Sequence, residues 1–94
     1  MIRQTLEEIE LEVGRQKRLK AEGKFSHTAE DFMVEGDAGK MLAVLTEEIG
    51  EVARAINDNE PCVKLREELV QVAAVAVSAI AGLDYAMVAK ASAI

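Results

Sequence analysis

One pattern occurs twice in this chain and limits what it can become. Residues 45–53 read Leu-Thr-Glu-Glu-Ile-Gly-Glu-Val-Ala, and residues 65–73 read Leu-Arg-Glu-Glu-Leu-Val-Gln-Val-Ala. Both fit L-x-E-E-[I/L]-x-[E/Q]-V-A, offset by 20 residues (65 − 45). Apolar residues recurring at steps of three and four specify an amphipathic helix. Side chains at i and i+3 of a helix project to the same side. The chain is therefore committed to two helices, each carrying oxygen-bearing side chains beside an apolar stripe.

A length of 94 residues implies one small domain over 1–94. Half the residues are hydrophobic, yet only two Phe and one Tyr are aromatic. Val, Ala, Leu and Ile must fill the interior, which favours closely packed helices and a helical surface shared with a second copy. A net charge of −6 argues against binding a nucleic acid polymer, which needs a basic footprint. A nucleotide is still admissible, because metal ions bridge two anionic groups. One cysteine excludes an internal disulfide. The charged first fifteen residues do not resemble a signal peptide. The apolar run 69–83 falls short of the roughly 20 residues that span a bilayer, so it reads as a buried helix and not as membrane. The expected location is cytoplasmic.

Along the chain, residues 2–22 read as a helix with Ile2, Leu6, Ile9, Val13 and Leu19 at helical spacing. Thr5 and Glu8 have the spacing of a capping box, which would start that helix late. Gly23 is the expected stop. Residues 23–37 lack periodicity and form the longest expected loop, with Phe25 and His27, the lone histidine. Asp37 is the expected N-cap of a helix over 37–57 with core stripe Leu42, Leu45, Ile49, Val52 and Ile56. Pro61 suits the first position of a helix over 61–81, ending near Gly82, with stripe Leu65, Leu69, Val72, Ala76 and Ile80. Asp84 is then a cap for a short helix over 85–92, and Cys62 reads as a small packing residue. The third helix is apolar nearly all round from Val72 to Ala81, which predicts burial on every side and hence self-association.

Glu48 lies about 60° from the first stripe and Glu51 about 120°, on a flank shared with Met41, Val44 and Ala55. Glu68 and Gln71 have the same offsets from the second stripe. Facing helices pack about 8–10 Å apart, so Glu48, Glu51 and Glu68 can gather around one hard cation, with the Gln71 amide oxygen as a neutral fourth ligand. Mg²⁺ takes such oxygen donors together with substrate phosphates. Against this stands the plainer alternative of two amphipathic helices whose acids are simply solvated, since Glu is a good helix former. A di-iron site expects Glu-x-x-His pairs, which neither helix has. No Cys/His spacing suits zinc, and no Gly-rich phosphate loop is present. The basic run Arg15–Lys20 suits either a solvated helix end or arms that reach phosphate oxygens.

The sequence Glu47-Glu48-Ile49-Gly50-Glu51, followed by Glu68-Leu69-Val70-Gln71, resembles the EExxE…ExxD pattern of the MazG-like nucleotide pyrophosphohydrolases. Met41–Ala53 and Leu65–Val77 look like a small single-domain branch found in phages and mobile bacterial elements. The resemblance implies an all-α bundle completed by oligomerisation, as a homodimer or homotetramer. It implies Mg²⁺-dependent cleavage of (deoxy)nucleoside triphosphates to a monophosphate and pyrophosphate, with Mn²⁺ as an alternative ion. Glu48, Glu51 and Glu68 become metal ligands by this resemblance. Glu47 becomes the catalytic assistant, binding a second ion or orienting the attacking water. Lys24 and His27 are candidates for substrate binding. Gln71 departs from the family pattern, which has an aspartate there. That departure supports an alternative: a non-catalytic helical oligomer, an adaptor or binding module that keeps the fold.

Overall fold

A computed structural model describes residues 1–92. It contains four helices, α1 (Ile2–Ala21), α2 (Ala29–Val34), α3 (Ala38–Asn57) and α4 (Cys62–Ser92), and no strand among the described residues. The all-α expectation holds. α4 is the spine, packing against α1, α2 and α3.

Local chemistry explains most of the boundaries. α1 starts at Ile2 and not late: Thr5 forms no capping box, its hydroxyl donating instead to the Met1 carbonyl at 3.1 Å. Arg18 and Lys20 occupy the last turn, where cations favour the helix dipole. Gly23 then takes φ +80, a left-handed conformation that glycine adopts without strain. Asp37 caps α3, accepting from the Lys40 amide at 3.1 Å.

The element boundaries depart from expectation at two further places. The segment 23–37 is not all loop, because α2 lies within it. Thr28 and Asp31 form a reciprocal capping box: the Asp31 amide donates to Thr28 Oγ1 at 3.3 Å, and the Thr28 amide donates to Asp31 Oδ2 at 2.8 Å. The second correction concerns α4, which runs unbroken to Ser92 with no stop at Gly82 and no separate helix from 85. Gly82 is buried for packing. A Cβ built there would lie 2.3 Å from the Glu30 carbonyl oxygen and 2.9 Å from Met33 Cβ. The missing side chain lets α2 approach the α4 backbone.

The length of α4 also alters the membrane argument. At 31 residues, with mean hydropathy 1.9 in its most apolar window, it is long and apolar enough to cross a bilayer by length and composition. Its inner face nevertheless carries the buried Glu68 and Ser78 and packs on three helices.

The buried faces differ from the expected stripes. The core gathers Ala29, Val75 and Ala79, with Met33, Met41, Val44 and Leu45 against it. Leu42, Ile49 and Ile56 of α3 are exposed, as are Leu69 and Ile80 of α4. Each helix has turned its acid-bearing flank toward the other, leaving part of its apolar stripe outside. Cys62 is exposed and does not pack.

Candidate functional site

The inner flanks of α3 and α4 bring the acids of the repeated pattern near one another. Glu48 is half-buried, and its Oε2 is shielded from solvent with no hydrogen-bond partner. Its pKa is raised, first by burial and then by the negative fields of Glu68, Glu47, Glu51 and Glu12. A buried, unpartnered carboxylate oxygen amid four further acids is costly unless a cation or proton joins it.

The neighbours are already engaged. Glu68 is 5% exposed and accepts from Lys64 Nζ at 2.9 Å. That hydrogen bond is the leading reason the Lys64 pKa is raised. Glu51 accepts from Arg54 Nη1 at 3.0 and 3.1 Å. Glu51, Arg54, Lys64 and Glu68 border one small recess, whereas Glu47, Glu48 and Gln71 border a larger cavity. The four expected ligands therefore divide between two openings, with Glu48 coupled to both. Among the described residues, no three His, Cys, Asp or Glu side chains are gathered tightly enough to hold an ion. The donors suit Mg²⁺ in kind, since all are hard oxygens and one is orphaned. Gathering Glu51 and Glu68 with Glu48 requires Arg54 and Lys64 to release them.

The larger cavity, about 480 Å³, opens between α1 and α3 and is floored by α4. That size suits a small-molecule site. α1 contributes Arg15, Gln16 and Leu19; the following segment and α2 contribute Phe25, His27 and Phe32. Arg15 forks onto Glu12, with Nε at 2.9 and 2.7 Å from the two carboxylate oxygens. This hydrogen bonding raises its pKa most, with Glu48 adding to it. His27 stacks on Phe32, ring centroids 5.0 Å apart and planes 7° from parallel. Its Nδ1 lies 2.8 Å from Ser26 Oγ and its Nε2 3.1 Å from Glu35 Oε1.

Of the residues singled out from sequence, Glu47, Glu48, Gln71 and His27 meet at this cavity, and Lys24 is exposed beyond α1, away from its lining. Arg15, Phe25 and Phe32 were missed as site residues, Arg15 entering only as part of a basic run. Lys17 and Lys20 of that run are tied to α2 by ion pairs to Glu30 at 3.3 Å and Asp31 at 2.7 Å.

The comparisons with known proteins fall on the same elements. No curated protein and no solved structure matches the chain. The MazG nucleotide pyrophosphohydrolase domain matches residues 37–92, which contain α3, α4 and all the acids of the repeated pattern. With that domain covering more than half of its length, the chain belongs to the MazG nucleotide pyrophosphohydrolase domain family.

Proposed function

We propose that the protein is a Mg²⁺-dependent nucleoside triphosphate pyrophosphohydrolase, converting (d)NTP to (d)NMP and pyrophosphate in the cytoplasm. The observation that carries this is Glu48: a half-buried carboxylate with an orphaned oxygen, inside an acid cluster and on the wall of a ligand-sized cavity. Glu48, Glu51 and Glu68 would hold the ion, with Mn²⁺ an acceptable substitute. When bound, the ion would supply neutralisation of phosphate charge and a more acidic water. Glu47, which lines the cavity, takes the proton of the attacking water. The water oxygen bonds to the α-phosphorus as the α–β bridging bond breaks, and pyrophosphate leaves. Arg15 presents a guanidinium to phosphate oxygens once it exchanges Glu12 for them.

Incubation with a panel of NTPs and dNTPs plus Mg²⁺ or Mn²⁺, with pyrophosphate measured, tests this. Turnover that survives Glu48→Gln contradicts the site assignment.

The ion pairs of Lys64 and Arg54 favour a second reading. They neutralise two of the acids internally, as a helical adaptor without chemistry would require. Calorimetry with Mg²⁺ and a non-hydrolysable dNTP analogue separates the two, and absence of both binding events selects the adaptor. The exposed apolar residues of α3 and α4 support self-association as a homodimer or homotetramer under either reading.

A further inference from the structure

We infer that Glu12 is a positioning residue: it holds the Arg15 guanidinium away from Glu48 and so keeps the proposed cation site open. This rests on the metal reading above. Four acids act on Glu48 through their fields: Glu68, Glu47, Glu51 and Glu12. Three of these are paired with a cation of their own helix, Glu68 with Lys64, Glu51 with Arg54 and Glu12 with Arg15. Such pairs need no tertiary contact, because residues three and four apart already face each other on a helix. Glu48 has no such partner, since Val44, Leu45, Glu51 and Val52 fill those positions around it. A cation for its orphaned Oε2 must come from another helix or from solution. Among the described residues, Arg15 is the one Lys or Arg that lines the cavity with Glu48. The field of Glu48 reaches it, adding to a pKa raised first by the hydrogen bond to Glu12. Yet the guanidinium is engaged elsewhere. Its Nε lies 2.9 and 2.7 Å from the two Glu12 oxygens, and Nη2 also donates to Oε1. The Glu12 side chain is only 10% exposed. A forked, charge-assisted contact of this kind fixes both the place and the plane of a guanidinium. Arg15 has no second acid to turn to on α1, where Leu11, Arg18 and Leu19 fill its other neighbouring positions. Released from Glu12, it would swing to Glu48, neutralise that carboxylate and take the place of an ion.

The test titrates Mn²⁺ alone, without nucleotide, into the full chain and reads its affinity by calorimetry. Wild type, Glu12→Gln, Arg15→Gln and the double variant are compared, with circular dichroism confirming that each is folded. Glu12→Gln weakens Mn²⁺ binding by roughly 2- to 150-fold, the range of coupling within one ion-pair network. Arg15→Gln alone leaves Mn²⁺ affinity unchanged, because the guanidinium is already held off Glu48. The double variant regains wild-type affinity, because the freed competitor is gone. That non-additivity separates positioning from plain electrostatics, in which the lost negative and positive charges act independently. Additive effects, or unchanged affinity in Glu12→Gln, overturn the inference and leave the metal reading standing. A rise in affinity for Arg15→Gln alone shows that Arg15 already competes at Glu48 and also overturns it; this arm decides even where Glu12→Gln fails to fold. No Mn²⁺ binding by either wild type or Arg15→Gln overturns the metal reading itself, and the inference with it.

Discussion

The Lys64 ammonium sits 2.9 Å from the Glu68 carboxylate, an exposed cation holding an acid that is itself 5% exposed. In the proposed enzyme this lysine stands in for the metal. Lys64→Ala leaves Glu68 buried with its charge uncompensated. Its Tm falls below that of wild type in metal-free buffer, and added Mg²⁺ recovers more of it than it adds to the wild type. Paired thermal melts with and without Mg²⁺ measure this, and an identical Mg²⁺ response in both proteins removes Glu68 from the ligand set.

Glu48 predicts a pH dependence with an unusual sign. Burial and the surrounding acids raise its pKa in the folded chain. The folded state therefore binds that proton more tightly than the unfolded state does. The contribution of this group to stability is greatest below the ordinary carboxylate range and is lost as pH rises through the raised value. Glu48→Gln removes the charge while keeping the shape. Metal-free melts across about pH 4 to 8 should show a higher Tm for the variant near neutrality and a flatter profile, while turnover is lost.

Two glycines give opposite outcomes for one substitution. Alanine is favoured over glycine by about 1 kcal/mol in a helix interior. Gly50 of α3 has nothing within 4 Å of an added Cβ, so Gly50→Ala stabilises by about 0.4–1 kcal/mol. At Gly82 the added atom meets the Glu30 backbone at 2.3 Å, and forcing α2 away costs about 1–3 kcal/mol. Urea midpoints for the two variants should move in opposite directions.

Capping predicts the strength of α2. Thr28→Ala removes the side-chain acceptor for the Asp31 amide at a cost of about 1 kcal/mol. Asp31 loses the Thr28 hydroxyl contact as well. The Asp31 pKa is lowered in the folded chain: burial is the largest influence and acts upward, but hydrogen bonds from Lys20 and Thr28 outweigh it. Stability from Asp31 is thus present above its ordinary value and lost as pH falls through the lowered one. Acid titrations monitored by circular dichroism should show Thr28→Ala unfolding at higher pH than wild type.

The outward apolar residues predict concentration dependence. Ile49 and Ile80 are 51% and 60% exposed. If a second copy covers them, Tm rises with protein concentration, and Ile49→Lys with Ile80→Lys yields monomers by sedimentation. A wild-type monomer at micromolar concentration refutes self-association.

Local signals were legible in the sequence where one residue type sets a backbone state. Asp37 capped α3 and Gly23 closed α1 as their chemistry requires. The capping pair Thr28 and Asp31 was equally local, yet it introduces a six-residue helix too short to display periodicity. Gly82 misled because its role is set by a neighbouring helix, whereas sequence shows glycine only as a helix stop. The pattern of α3 contains both an apolar stripe and an acid flank. Periodicity alone does not say which of them meets α4 and which is left for another surface. The acids were found because they recur in register. Phe25 and Arg15 belong to no repeat, and nothing but the cavity they line together with Glu48 ties them to the acids.

The contact at Gly82 has a geometric consequence for substrate choice. α2 seats on α4 at that residue, eleven positions after Gln71 (82 − 71), or about 16 Å along a helix. Because a backbone oxygen fills the place of a side chain, α2 cannot slide along α4 without collision. Gly82 thereby acts as an index mark that sets how far the Phe32–His27 wall stands from the acids. A single methyl group at a position remote from the chemistry would recalibrate the depth of the cavity, so variation at residue 82 offers a route to changing which ligands fit without altering any residue that touches them.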